Sequence, residues 1–142
     1  MNREPQVAEE ALLEVRDLSI AFASGRSLLM AVDRIGLELA AGETLALLGE
    51  SGCGKSATAL ALLRLLPAAG RIVGGQVSFA GRDLLALPET EMRAVRGGGM
   101  AMIFQEPATS LNPVLTVGDQ VAEVLVRHLG LAGAEARARA LE

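Results

Sequence analysis

Residues Gly49–Ser56 read GESGCGKS and match the spacing G-x-x-x-x-G-K-[ST], which demands a tight glycine loop between a strand and a helix. The flanks supply that context. Thr44-Leu45-Ala46-Leu47-Leu48 carries almost no polar side chain and is bounded by glycines, the pattern of a strand buried on both faces of a sheet. Ser56 to Leu66 is apolar nearly all round and rich in Ala and Leu, and Pro67 cannot continue it, so a buried helix is predicted there. In such a loop the glycines let successive amides point inward at an anion, and the start of the helix adds positive partial charge. The expected cradle is Gly49, Glu50, Ser51, Gly52, Cys53, Gly54, Lys55, Ser56 and Ala57. Lys55 is placed to neutralise phosphate charge, and the Ser56 hydroxyl is an oxygen ligand of the kind Mg²⁺ prefers. At this composition the motif arises by accident about once in a thousand chains of this length, before its flanks are required.

The rest of the chain alternates strand and helix, an α/β pattern. Leu12, Glu14, Val15, Leu18, Ile20 and Phe22 mark a first strand, and Ser24-Gly25-Arg26 a turn. Val32, Ile35, Leu37 and Leu39 mark a second strand that ends at Ala41-Gly42-Glu43. Gln76–Ala80 reads as a strand. Pro88-Glu89-Thr90-Glu91 opens a helix that Gly97-Gly98-Gly99 breaks, and Met100–Phe104 is an apolar run of strand length closed by Gln105-Glu106-Pro107. Thr116 and Asp119 have capping-box spacing, with Val117, Val121, Val124, Leu125 and Leu129 following at helical intervals. A second amphipathic stretch covers Glu135–Glu142.

Composition narrows the partners. Thirteen basic residues against seventeen acidic give a net charge of −4, and three Phe are the only aromatics among 142 residues. Neither general attraction to nucleic acid or anionic lipid nor a base-stacking platform is expected. Any bound anion must be held locally, and of the thirteen basic residues only Lys55 is a lysine. One cysteine permits no internal disulfide, the polar start of the chain does not read as a secretory signal, and the apolar runs are too short to span a bilayer. These features point to the cytoplasm.

Four further residues have two readings each. Gln105, after an apolar run, is placed to present its amide to a metal or a water, or to make a turn contact. Phe22 can stack on a base or continue the apolar face of Leu18 and Ile20, which pattern alone favours. His128, the only histidine, has no second ligand for a metal and reads as a surface or packing residue. Cys53 lies beside Lys55 and a helix N-terminus and reads as a nucleophile or as the small residue a phosphate loop needs there, and no histidine is near in sequence to support the nucleophile.

From about Leu12 onward the chain resembles the ATP-binding subunits of ABC transporters, in the branch that energises import of dipeptides, oligopeptides, nickel and glutathione. Besides the phosphate loop, the resemblance rests on AVDRIGLELAAGETLALLGESGCGKSATALALLRLLP, on SFAGRDLLALP, and above all on MAMIFQEPATSLNPVLTVGDQ. The last block looks like the family's Q-loop and the start of its helical subdomain. The resemblance implies a P-loop NTPase fold of the ABC type and ATP with Mg²⁺ as ligands. It makes Gln105 the glutamine that contacts Mg²⁺ and the attacking water, and Phe22 the aromatic residue that stacks on adenine. Cys53, Ala57 and Ala108 depart from the commoner residues of the branch.

The signature motif, the Walker B aspartate with its adjacent glutamate, and the switch histidine of the family do not occur in these residues. The expected organisation is a flexible N-terminus over 1–11, the N-terminal part of the ATP-binding core over 12–104, and the Q-loop with the beginning of the helical subdomain over 105–142. The partners the resemblance implies are ATP, a second nucleotide-binding domain in a homo- or heterodimer, transmembrane permease subunits and, through them, an external substrate-binding protein, with no nucleic acid. The implied location is peripheral, at the cytoplasmic face of the inner membrane. Two other readings stay open. One is a nucleotide-binding fragment without turnover; the other is a different Q-loop-containing ATPase of repair or chromosome organisation, against which the acidic charge and ATSLNPVLTVGDQ count.

Overall fold

Alternating apolar side chains draw the first half of the chain into an antiparallel sheet. The computed structural model describes residues 11–106 and 110–142; residues 1–10 of the flexible N-terminus expected over 1–11, and Pro107 and Ala108, lie outside them. Strand β1 (Leu13–Ser24) turns through Gly25-Arg26 into β2 (Ser27–Leu39), and β3 (Gly70–Phe79) and β4 (Arg82–Asp83) follow. Their order is β2-β1-β3-β4, with every pair antiparallel. Central β1 therefore carries the core: Val15, Leu18 and Ile20 are buried, with Val77 from β3 beside them in the same core.

All three long strands leave regular geometry at one level. Asp17 in β1, Arg34 in β2 and Gly75 in β3 have positive φ, and the registers slip there. Bulges of this kind bend and twist a sheet but leave backbone groups without ladder partners. Buried Ser19 supplies one partner: its hydroxyl accepts from the Arg34 amide at 3.0 Å and donates toward the Asp17 carbonyl at 3.4 Å. Gly75 is obligatory for a second reason. A Cβ there would stand 2.5 Å from the Leu18 Cα and 2.6 Å from the Asp17 carbonyl oxygen.

Helix α1 (Lys55–Leu62) packs on this sheet through Thr58 and Ala61, and Leu63 follows them into the core. Eight residues are too few to hold a helix in water, so burial of this face sustains it. The sequence predicted a longer buried helix. In the structure α1 ends at Leu62 and most of its residues are only half-buried, because Arg64 takes a positive φ and donates to the carbonyls of Leu84 (3.3 Å) and Leu87 (2.6 Å). That guanidinium holds the chain after α1 against the segment after β4.

Two strand predictions are corrected. Thr44–Leu48 belongs to no ladder and is exposed throughout, Leu48 to 92%. Met100 makes one bridge to Arg96, and Ala101–Phe104 runs without regular structure, with Ile103 94% exposed. Both runs are apolar enough for a strand buried on two faces, yet such a strand also needs hydrogen-bonding neighbours. Among the described residues the sheet is complete without them. In the other direction, β3 begins at Gly70, six residues before the predicted start.

The chain divides into two compact units, the first ending at Leu87 and the second running Pro88–Glu142. In the second, α2 (Glu89–Gly98) starts after Pro88 with Glu89 and Glu91 in its first turn, and Gly97 (φ +88°) interrupts it. Helix α3 (Val117–Leu129) is capped by Thr116, whose hydroxyl accepts from the Asp119 amide at 3.1 Å and donates to its carboxylate at 2.7 Å. It stops at Gly130 in the left-handed conformation, and α4 (Gly133–Arg139) packs against it. Met92, Val95, Ala122 and Ala136 are buried, while Val117, Val121, Val124 and Leu129 of the predicted apolar face are exposed.

Gly75→Ala is expected to destabilise the first unit by about 2 kcal/mol or more, since it adds a backbone collision to an unfavourable φ. Gly25→Ala, at φ +60° with open space around it, should cost only about 1 kcal/mol. Equilibrium urea unfolding of the two variants checks the difference.

Candidate phosphate-binding site

The loop matched by G-x-x-x-x-G-K-[ST] sits where the chain enters α1, and its glycines have separate duties. Gly52 (φ +84°) and Gly54 (φ +94°) supply the left-handed turns that curl it. Gly54 also rests against β2: a Cβ there would stand 2.7 Å from the Val32 Cγ2 and 2.8 Å from the Ala31 carbonyl oxygen. Gly49 is constrained by the loop itself, because a Cβ there would stand 2.5 Å from the Cys53 Sγ.

Around this curl the Lys55 side chain folds back. Its ammonium donates to the carbonyls of Gly49 and Glu50, both at 2.7 Å, and lies 3.4 Å from the Cys53 Sγ. The cation thus stands over the loop rather than out in solvent. Thr58 completes the junction, its amide (2.8 Å) and hydroxyl (3.0 Å) both donating to the Gly54 carbonyl. Helix α1 has no side-chain cap at Gly54 and no acid in its first turn, so its leading amides keep their positive partial charge.

A cleft of about 270 Å³ adjoins the loop, lined by Val32, Leu47, Leu48, Cys53, Lys55 and Thr58 among others. Glu50, Ser51 and the Cys53 thiol are exposed, as is Ser56 at the start of α1; Ala57 is half-buried. Among the described residues no three His, Cys, Asp or Glu side chains come together to hold a metal.

The other predicted residues belong to other elements. Phe22 pairs with Leu29 and Gly70, and its ring packs so closely over Gly70 that a Cβ there would stand 2.7 Å from the ring. Phe22 as a whole is half-buried. Gln105 is exposed in a bend and belongs to the second unit. His128 packs against Gly97, where a Cβ would stand 2.7 Å from Nε2. Sequence reasoning missed Ala31 and Val32 as the seat of the loop, since nothing in their pattern marks them: the register slip between Ile20 and Ala21 decides which part of β2 meets Gly54.

A family model described as ABC transporter matches residues 32–142, more than three-quarters of the chain. The chain belongs to the ABC transporter family. This family member is 52% identical over 134 residues to the peptidoglycan transport ATP-binding protein YejF of Agrobacterium fabrum, an alignment covering 94% of this chain and 24% of that protein. It is 51% identical over 132 residues to the oligopeptide transport ATP-binding protein OppD of Salmonella typhimurium, covering 93% of this chain and 39% of that one. The chain thus spans a quarter to two-fifths of the length of these relatives. The dimeric ATP-binding cassette MJ0796, in a post-hydrolysis state bound to ADP and Pi, superposes with a TM-score of 0.78 at 24% identity, over 91% of this chain and 54% of that one. That likeness establishes the fold, an α/β ABC-type nucleotide-binding domain represented in part. No helix among the described residues is long and apolar enough to cross a membrane.

Gly49→Ala is expected to cost about 1–3 kcal/mol by overpacking the loop. Cys53→Ala in the same chain should recover most of this, because the next atom of that residue, its Cβ, stands at 3.7 Å. A double-mutant cycle in urea reads the coupling, and additive losses would contradict the contact.

Proposed function

We propose that this chain is the nucleotide-gripping part of an ATP-binding subunit that energises import of peptide-like cargo. The observation that carries the reading is the position of the Lys55 ammonium over the curl of Gly49–Gly54, beside the uncapped start of α1. An ammonium beside the uncapped start of a helix favours a polyphosphate over other ligands. The peptide class follows from the relatives, whose names specify peptidoglycan and oligopeptide transport.

In this reading the amides of Gly52–Ala57 hold the phosphate oxygens of ATP, and Lys55 balances their charge. Ser56 offers its hydroxyl to Mg²⁺, which when bound with nucleotide screens the phosphates and polarises them. Phe22, already packed over Gly70, offers adenine only its remaining surface. By its resemblance to the family's Q-loop glutamine, Gln105 takes the role of sensing the γ-phosphate and the attacking water. Intact family members hydrolyse ATP. The 142 residues themselves contain no Walker B carboxylate pair, signature motif or switch histidine, so the chain on its own binds nucleotide without turnover. In the assembled transporter it pairs with a second nucleotide-binding domain and lies against permease subunits at the cytoplasmic face of the membrane.

Titration of the 142-residue chain with a fluorescent ATP analogue and Mg²⁺ tests this. Lys55→Ala should weaken binding by roughly 10- to 100-fold, the range of a charge-assisted hydrogen bond. Gln105→Ala should leave it near the parent value. Equal binding by the parent chain and Lys55→Ala would overturn the site, and Lys55-dependent phosphate release would overturn the claim that the chain does not turn over ATP.

A further inference from the structure

Charge is unevenly spread along the chain. All seventeen acidic residues fall outside two segments, 18–32 and 51–82, which together carry Arg26, Lys55, Arg64, Arg71 and Arg82. The fold brings parts of these two segments together at the hairpin end of the sheet. The Ala23 amide donates to the Ala69 carbonyl at 2.8 Å, which pins the β1–β2 hairpin to the turn before β3, and the Gly70 amide closes that turn on the Pro67 carbonyl at 2.7 Å. Here lies a pocket of about 370 Å³, lined by Arg26, Ser27, Leu28, Ala68, Ala69 and Arg71 among others. No carboxylate lines it.

Its two arginines come from different elements, Arg26 from the hairpin turn and Arg71 from β3. Arg16, Arg93, Arg96 and Arg137 each face a carboxylate, and Arg64 faces two carbonyls. Among the described residues neither Arg26 nor Arg71 makes an ion pair or a side-chain hydrogen bond. Two unpaired cations at one pocket repel each other, and a bound anion reverses the sign of that energy. The pocket is separate from the nucleotide site. It shares no lining residue with the cleft beside Lys55. Phe22 and Gly70 alternate with Ala23 and Arg71 along their strands, so the Phe22 ring lies on the other face of the sheet.

We propose that this pocket binds a soluble phosphomonoester, gripped by the guanidinium groups of Arg26 and Arg71. The planar donor fork of arginine matches the oxygens of a phosphate. A phosphomonoester carries about −1.5 to −2 charges at pH 7, which two arginines balance, whereas a carboxylate would leave one of them unmatched. Leu28, Ala68 and Ala69 suit a small apolar body on the ester, and the volume falls in the range of about 300–1,000 Å³ found for small-molecule sites. Nucleic acid is a poor match, since two cations and no aromatic lining supply neither a backbone track nor a stacking surface. The site does not depend on the nucleotide reading, so either can fail alone.

The probe is phenyl phosphate, titrated calorimetrically into the 142-residue chain at pH 7. Saturable binding is expected, and phenyl sulfate, a monoanion of the same shape, should bind several-fold more weakly. Arg26→Gln and Arg71→Gln should each weaken phenyl phosphate binding about tenfold or more. Both should keep the parent's far-ultraviolet circular dichroism and its affinity for the fluorescent ATP analogue, which separates this pocket from the loop at Lys55. The proposal is overturned if phenyl phosphate does not bind, if the two glutamine variants bind it as the parent does, or if phenyl sulfate binds equally well. It is also overturned if the chain ignores phenyl phosphate but sediments with phosphatidic acid vesicles through Arg26 and Arg71, because the phosphate would then be that of a lipid.

Discussion

The approach of Gly54 to the backbone of β2 is the contact on which the rest of the site depends. A loop of eight residues with three glycines has little intrinsic shape, and α1 is too short to impose one. Resting Gly54 on Ala31 and Val32 fixes the point at which the helix begins. Thr58 then bonds back to Gly54 twice, and Ala61 and Leu63 enter the core. Only with that start fixed does Lys55, the first helical residue, have its side chain aimed back across the loop. The bulges of β1 and β2 belong to the same constraint, since they set which residues of the edge strand face the loop.

Much of this was legible in the sequence, and the reasons for success and failure are physical. The phosphate loop, the two hairpin strands and the Thr116 cap are local: each is specified by residue types within a few positions, so composition and spacing suffice. The capping box holds as read, with Thr116 bonded to Asp119. Thr44–Leu48 and Met100–Phe104 fail because a doubly buried strand is defined by its neighbours. An apolar run states a need for cover without naming what meets it. Helix α1 was read too long for a related reason: the residue that ends it, Arg64, does so through carbonyls at Leu84 and Leu87, twenty and more positions away. Among the candidate site residues the loop members lie together, whereas Phe22 is at the hairpin end of β1 and Gln105 is in the second unit.

An acidic chain can serve as an anion binder because the two scales of charge are separate. Net charge governs approach from a distance and is screened within about 10 Å at ordinary ionic strength. In the proposed role, binding is decided inside the loop, by one ammonium and the uncapped start of α1. The loop concentrates positive charge without making the chain as a whole attractive to polyanions.

The hydrogen bonds of Lys55 also say how a ligand can enter at small cost. An ammonium has three donors and no acceptor. Two are committed at 2.7 Å to the carbonyls of Gly49 and Glu50, which hold the cation over the loop. The third faces the Cys53 sulfur at 3.4 Å, a weak acceptor. In the proposed role, exchanging sulfur for a phosphate oxygen would replace the poorest of the three bonds with a charge-assisted one and leave the other two intact. An arginine at position 55 would not reproduce this arrangement, because a planar fork of five donors cannot gather two loop carbonyls and a phosphate around one nitrogen.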